Sequence, residues 1–149
     1  MNNMEVLRAY KTDSNVGKRI LAGLTDYMII CVFMIVLILT LGEQNIEGVY
    51  EITGLPALIP IVFWGIMTIG FEQIFGRTLG NFAVDLKPIS INGLQNELTL
   101  AQSIRRHLLD PLDMFFFGLI GYVCIKNTGN NQRLGDLWAK TIVINCKKD

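Results

Sequence analysis

The run from Ile20 to Gly42, ILAGLTDYMIICVFMIVLILTLG, constrains this chain more than any other feature: 23 residues carry a single charge, Asp26. A bilayer core about 30 Å thick is crossed by roughly 20 helical residues, so this run is long enough to span. A secretory leader has an apolar stretch of about 7–15 residues that ends at small residues. This run is longer, holds an aspartate and has no A-x-A site, so it reads as a membrane helix. A second run, Leu55 to Gly76, carries only Glu72. Pro56 and Pro60 fall in its first turns, where proline is tolerated. Trp64 lies deeper than an interfacial tryptophan and reads as a packing residue. Charged residues make up 17% of the chain, against about a quarter in soluble domains, and the shortfall lies in these runs.

The third apolar stretch, Leu98 to Ile125, allows two readings. Leu98, Ala101, Ile104 and Leu108 share a helical face beside Arg105 and Arg106, a pattern that suits a helix lying in the membrane surface. Asp110-Pro111-Leu112-Asp113 then has the form of a helix start, with Asp110 as N-cap and Pro111 as first residue. A helix from Pro111 to Ile125 would be roughly 22 Å long, short for a span and suited to a re-entrant segment.

Charge asymmetry orients these runs. Arg8, Lys11, Lys18 and Arg19 precede the first; Arg77, Lys87, Arg105 and Arg106 follow the second. The connector between them has Glu43, Glu47 and Glu51 and no lysine or arginine. The positive-inside rule therefore puts the N-terminus and the middle segment in the cytoplasm. Lys126, Arg133, Lys140, Lys147 and Lys148 make the C-terminal part basic too. Three spans would put that part outside, whereas two spans and a re-entrant segment keep it inside. An internal echo bears on the choice. Gly76-Arg77-Thr78-Leu79-Gly80-Asn81 follows the second run, and Asn131-Gln132-Arg133-Leu134-Gly135-Asp136 follows the third. Each leads into an extended stretch, Val84 to Ile91 and Thr141 to Asn145, and two such strands pair if they share a side. The expected fold is an all-α membrane protein of two to three transmembrane helices, an interfacial amphipathic helix and a short cytoplasmic β-pair. Residues 1–15 form an N-terminal tail, 16–145 the membrane domain and 146–149 a C-terminal tail.

Ionisable groups at membrane depth are expensive and need partners. Arg19 and Asp26, seven apart, lie on one helix face about 10 Å apart along the axis, too far to touch. Asp26 and Glu72 sit at similar depth on antiparallel helices, and Asp110 and Asp113 begin the third segment on the same side. One reading is a proton or cation site formed by Asp26, Glu72 and Asp113. The other is an ion-paired cluster, with Arg19, Arg106, Asp110 and Asp136, that fixes helix contacts. Depth favours the second, because coupled transporters usually bind near the midplane. So do the neighbouring arginines, which favour ionised carboxylates.

Other chemistry finds little support. Cys31, Cys124 and Cys146 are odd in number, without a CxxC, and read as small buried apolar residues. His107 is the single histidine, so a His-rich metal site is excluded. Gly76-x-x-x-Gly80 reads as a turn, and Gly118 and Gly121 as close-packing positions. There is no P-loop, GxGxxG, HExxH or GxSxG motif, so no enzyme and no cofactor is expected. A net charge of +0 gives no electrostatic case for nucleic acid.

The charged positions resemble the RDD family of small bacterial membrane proteins, named for one arginine and two aspartates. Gly17-Lys18-Arg19-Ile20-Leu21-Ala22-Gly23-Leu24-Thr25-Asp26 is similar to the opening of its first helix. The glycine-containing turn at 76–81, the segment from Arg106 to Asp113 and the stretch from Asn131 through Ala139 and Thr141 resemble its later motifs. Either Asp113 or Asp136 answers to the second aspartate. Asp110 departs from the pattern, standing where many relatives carry a basic residue. The family has no agreed molecular function; the resemblance implies cation/proton exchange as one option. The expectation is a small multi-pass protein of the bacterial inner membrane, of transport or transport-accessory type, in contact with lipid and working as a homo-oligomer. The alternative is a non-transporting subunit that anchors, assists or protects a membrane or secretion protein.

Overall fold

The computed structural model describes residues 12–92, 97–113 and 115–146. Arg8, Lys11, Lys147 and Lys148, four of the charges used to orient the chain, lie outside these residues.

Helix α1, Val16–Leu41, is the first span. Its buried residues are Ala22, Asp26, Ile30 and Leu37, at spacings of one or two turns, so a single stripe meets the protein. Much of the rest of its surface, including Leu21, Met28, Val32 and Ile35, is exposed. That distribution suits lipid tails as the solvent. A hairpin of β1 (Glu43–Gln44) and β2 (Tyr50–Glu51) leads to the second span, α2, Leu55–Phe75. The Phe33 and Phe63 rings stack between the spans, with centroids 3.7 Å apart. α2 is not uniform: a 3-10 turn at Leu55–Leu58 holds Pro56, and a π turn occupies Ile66–Gly70. There the Thr68 hydroxyl donates to the Trp64 carbonyl at 2.7 Å. Trp64 itself is half-buried.

After α2 come the short helix α3 (Leu79–Ala83) and strand β3 (Leu86–Ser90). Helix α4, Leu100–Leu108, begins with a capping box between Thr99 and Gln102. Its polar residues Gln102, Ser103, Arg106 and His107 are buried, while Leu100, Ile104 and Leu108 face outward. The amphipathic helix thus turns its polar side to the protein and its apolar side to the membrane. Helix α5 is Asp110–Asp113, and α6 is Phe115–Asn127. The helix restarts after a turn at Leu109, one residue earlier than the expected Pro111. Asp110 is already helical, and its side chain accepts from neighbours instead of capping. The sharp bend, 114° between Leu100–Asp113 and Gly118–Asn127, falls after Asp113. Gly118 has φ +85, a conformation open to glycine without strain. With 13 residues, α6 is roughly 20 Å long, too short to cross alone.

Helix α7 (Leu134–Ala139) leads into β4 (Thr141–Asn145), which pairs antiparallel with β3, Leu86 opposite Asn145 and Ser90 opposite Thr141. Hydrogen-bonded strands lie on one side of a bilayer. Lys18 also donates to Asn145 at 3.3 Å, so the start of α1 is there as well. Two crossings result, with the third stretch entering and leaving on one face. Cysteines placed at the register partners Lys87 and Ile144, in a chain with Cys31, Cys124 and Cys146 replaced by serine, should crosslink on mild oxidation. Opposed Cα atoms in such a pair are about 4.5–5.5 Å apart, within disulfide range. A tail on the far side would give no crosslink. The three native cysteines are free thiols. They are not buried as expected: Cys31 is exposed on α1, where the outward face of a membrane helix accepts a small apolar side chain as readily as a core does, Cys146 is exposed just after β4, and Cys124 is half-buried.

Candidate functional site

Among the described residues Asp26 makes no ion pair. Its Oδ2 accepts from the Thr78 hydroxyl at 2.6 Å and its Oδ1 from the Gly80 backbone N–H at 2.6 Å. It therefore holds the first turn of α3 against the inside of α1. Asp113 does the same for α7, its two oxygens accepting from the backbone N–H groups of Leu134 and Gly135, both at 3.0 Å. The two glycines permit the approach. A Cβ on Gly80 would lie 2.0 Å from the Ala22 carbonyl oxygen, and one on Gly135 2.5 Å from that of Arg106.

These parallels extend the echo in the sequence into a structural repeat. Gly76 and Asn131, each four residues before its glycine, both have positive φ; so do Asp85 and Lys140, each five residues after. Asp85 and Lys140 immediately precede β3 and β4. Arg19 stands seven residues before Asp26, as Arg106 stands seven before Asp113. In the sheet, Pro88 faces Val143, its own counterpart in the repeat, so the two halves meet across a local two-fold. The halves differ in what lies between aspartate and glycine: a complete crossing in the first, the re-entrant α6 in the second.

Between the halves lies a buried charge network. Arg106 contacts Asp136 through Nη1 at 2.7 Å and Glu72 through Nε at 3.3 Å. Arg19 reaches Asp136 at 3.0 Å and donates to the Asn131 carbonyl at 2.9 Å. Arg133 lies 2.8 Å from Asp110 and 3.8 Å from both Asp113 and Asp136. His107 bridges Asp110, at 2.8 Å, and Glu72, at 3.4 Å, and the Ser103 hydroxyl also donates to Glu72. Tyr27 donates to Asp110 at 3.3 Å. Burial alone would raise the Asp136 carboxyl, but the Arg106, Arg19 and Arg133 guanidiniums around it prevail and hold it at about 2.

The charged residues singled out from sequence have distinct partners. Arg19, Arg106, Asp110 and Asp136 form ion pairs, as does Glu72; Asp113 both holds a backbone turn and lies 3.8 Å from Arg133, while Asp26 holds a backbone turn alone. A cavity of about 620 Å³ between α1 and α6 reaches Asp26, Asp110 and Asp113, with Arg19, Arg106, Arg133 and His107 also on its wall. Glu72 sits behind Arg106 and His107 and is not among its lining residues. The sequence places Thr78, Gly80, Arg133 and Gly135 only within the echoed motifs, with Arg133 also in the basic C-terminal part, and gives none of them a role of its own. The repeated Arg-x-Leu-Gly and Arg-Leu-Gly pattern was the signal that could have placed them. Nothing in the sequence marks Gln102, whose amide donates to Ser90 Oγ and the Ala139 carbonyl, both at 2.9 Å. Among the described residues no group of His, Cys, Asp and Glu could hold a metal ion.

Residues 14–140 match the RDD family. The chain belongs to that family. No curated protein matches it, and no solved structure does. As an RDD protein, it sets the arginine and the aspartate of its first helix to different tasks: Arg19 binds the second half of the repeat, and Asp26 holds the turn after the second span.

Proposed function

We propose that this RDD protein is a transport or transport-accessory subunit of the bacterial inner membrane, with its N-terminus in the cytoplasm, acting on a proton or cation at the cavity between α1 and α6. One observation carries the reading. Asp26 is a buried carboxylate on the cavity wall whose hydrogen bonds come from neutral donors alone, the Thr78 hydroxyl and the Gly80 N–H. A buried negative charge without an ion pair favours uptake of a proton or a cation. Asp26 is the first residue expected to matter, since its donors are neutral. The cytoplasmic side follows from the positive-inside rule. Two crossings and a re-entrant segment make a thin wall for a pathway, so the working unit is a homo-oligomer.

The test is ion flux in proteoliposomes, with a pH-sensitive dye after a Na⁺ or K⁺ pulse. Asp26→Asn is a clean comparison, because the Asn carbonyl can accept from Gly80 while its amide donates to a reversed Thr78 hydroxyl. Flux in the wild type that falls at least tenfold in a folded Asp26→Asn supports the reading. No flux above empty liposomes sinks the stand-alone transporter. The second reading, a non-transporting interaction subunit, is favoured by a sheet of only two strands and by Leu137 and Trp138 exposed beside it. Unpaired edges are ready templates for another chain.

A further inference from the structure

We infer that the cavity between α1 and α6 is a lateral binding site for an ammonium-headed amphiphile, its head at Asp26 and its tail along α1 toward the bilayer. The inference rests on the reading of Asp26 as a cation-receiving carboxylate and names the class of cation. Size is the first argument. About 620 Å³ is the volume of a pocket for an organic molecule; an inorganic cation needs a tight shell of oxygens. The second is the wall. Ile20 and Leu24 line the cavity and are 53% and 54% exposed, within a helix long and apolar enough to cross a membrane. The cavity mouth therefore opens into the membrane, and a ligand must reach it from there. Tyr27 and Tyr122 add aromatic surface, which suits an alkylammonium.

Charge is the third argument. Asp26 accepts one hydrogen bond on each oxygen, both from neutral donors. A carboxylate has about four lone-pair sites, so each oxygen keeps one for a ligand. The other acids on this wall already have arginine near them: Asp110 at 2.8 Å and Asp113 at 3.8 Å from Arg133. The arginines on the same wall are already engaged, Arg19 and Arg106 by Asp136 and Arg133 by Asp110, which leaves Asp26 as the carboxylate an ammonium would meet.

The test uses the full chain in dodecyl maltoside micelles, which contain no other ammonium group, with dodecyltrimethylammonium as probe. A ligand that binds the folded state raises the unfolding midpoint with its concentration. Wild type should show a saturable rise of several degrees, absent with dodecyl sulfate. Asp26→Asn should weaken apparent binding at least tenfold. Leu24→Trp, which fills the mouth without touching the carboxylate, should weaken it too, and it decides the matter if Asp26→Asn does not fold. Leu39→Trp, at a 76% exposed position at the far end of α1, should bind as wild type. Equal responses from wild type, Leu24→Trp and Leu39→Trp overturn the site. Equal strength from dodecylphosphocholine makes it a zwitterionic lipid site and overturns the inference. Binding without ion flux leaves this site standing and removes proton or cation exchange; flux without binding does the reverse.

Discussion

Methionine in place of Arg106 is expected to remove most of the folded protein from the membrane. The Arg106 side chain is 2% exposed and touches two carboxylates that are themselves inaccessible, Glu72 and Asp136, as well as the Thr141 hydroxyl. Methionine fills much of the volume but leaves Glu72 with only His107 and Ser103, and Asp136 with Arg19 and the more distant Arg133. Breaking a buried ion pair from one side is destabilising by about 3–5 kcal/mol, because an uncompensated charge stays behind. Folded proteins have roughly 5–15 kcal/mol in hand, so the loss takes a large part of the total. Lysine should restore little, since one ammonium cannot reach two acids in the planar fork geometry of a guanidinium. Adding Glu72→Gln to Arg106→Met should recover part of the loss, the signature of direct coupling. Accumulation in the membrane and the thermal midpoint in detergent are the measurements. A single Arg106→Met that accumulates and melts like wild type would show the network to be dispensable.

Alanine at Gly80 should be nearly as damaging, for a steric reason. The new Cβ would lie 2.0 Å from the Ala22 carbonyl oxygen and 2.8 Å from Asp26 Oδ2. The first contact is helix backbone, which cannot yield, so α3 must move off α1. Overpacking of this kind typically costs about 1–3 kcal/mol. Here it also breaks both hydrogen bonds to Asp26, leaving buried donors unpaired at about 1–3 kcal/mol each. Gly135→Ala, at the equivalent place in the second half, meets the Arg106 carbonyl at 2.5 Å and should be harmful but less so. Gly17→Ala meets nothing within 4 Å and should be close to neutral, or slightly stabilising within α1. The order of thermal midpoints, Gly17→Ala above Gly135→Ala above Gly80→Ala, is the check. Equal values for all three would mean that the close approach of the two turns is not what holds them.

Sequence and structure divide the description of this protein along a physical line. Whatever depends on transfer into lipid was legible in the chain itself. The two spans follow from the length of their apolar runs. The charge assembly follows from the expense of Arg19, Asp26 and Glu72 at membrane depth, and the strand pair from the echoed turns. Membership in the RDD family was legible for the same reason, since its marks are those charged positions in order. What the tertiary structure alone decided was which acid meets which base. Spacing along a helix placed Asp26 and Arg19 on one face, but not that Asp26 would hold a backbone turn while Arg19 crossed to Asp136. Nor did it show that Arg133 closes the cluster from the C-terminal side. The bend after Asp113 was also hidden. Asp-Pro is a local signal for a helix start, and a helix does begin at Asp110, but the Asp110 side chain meets His107 and Arg133 instead of capping, and Arg133 reaches it only when the chain folds. Local sequence sets propensity and solvent preference, but a buried charge takes its partner from long-range packing, and that partner fixes what the residue can do.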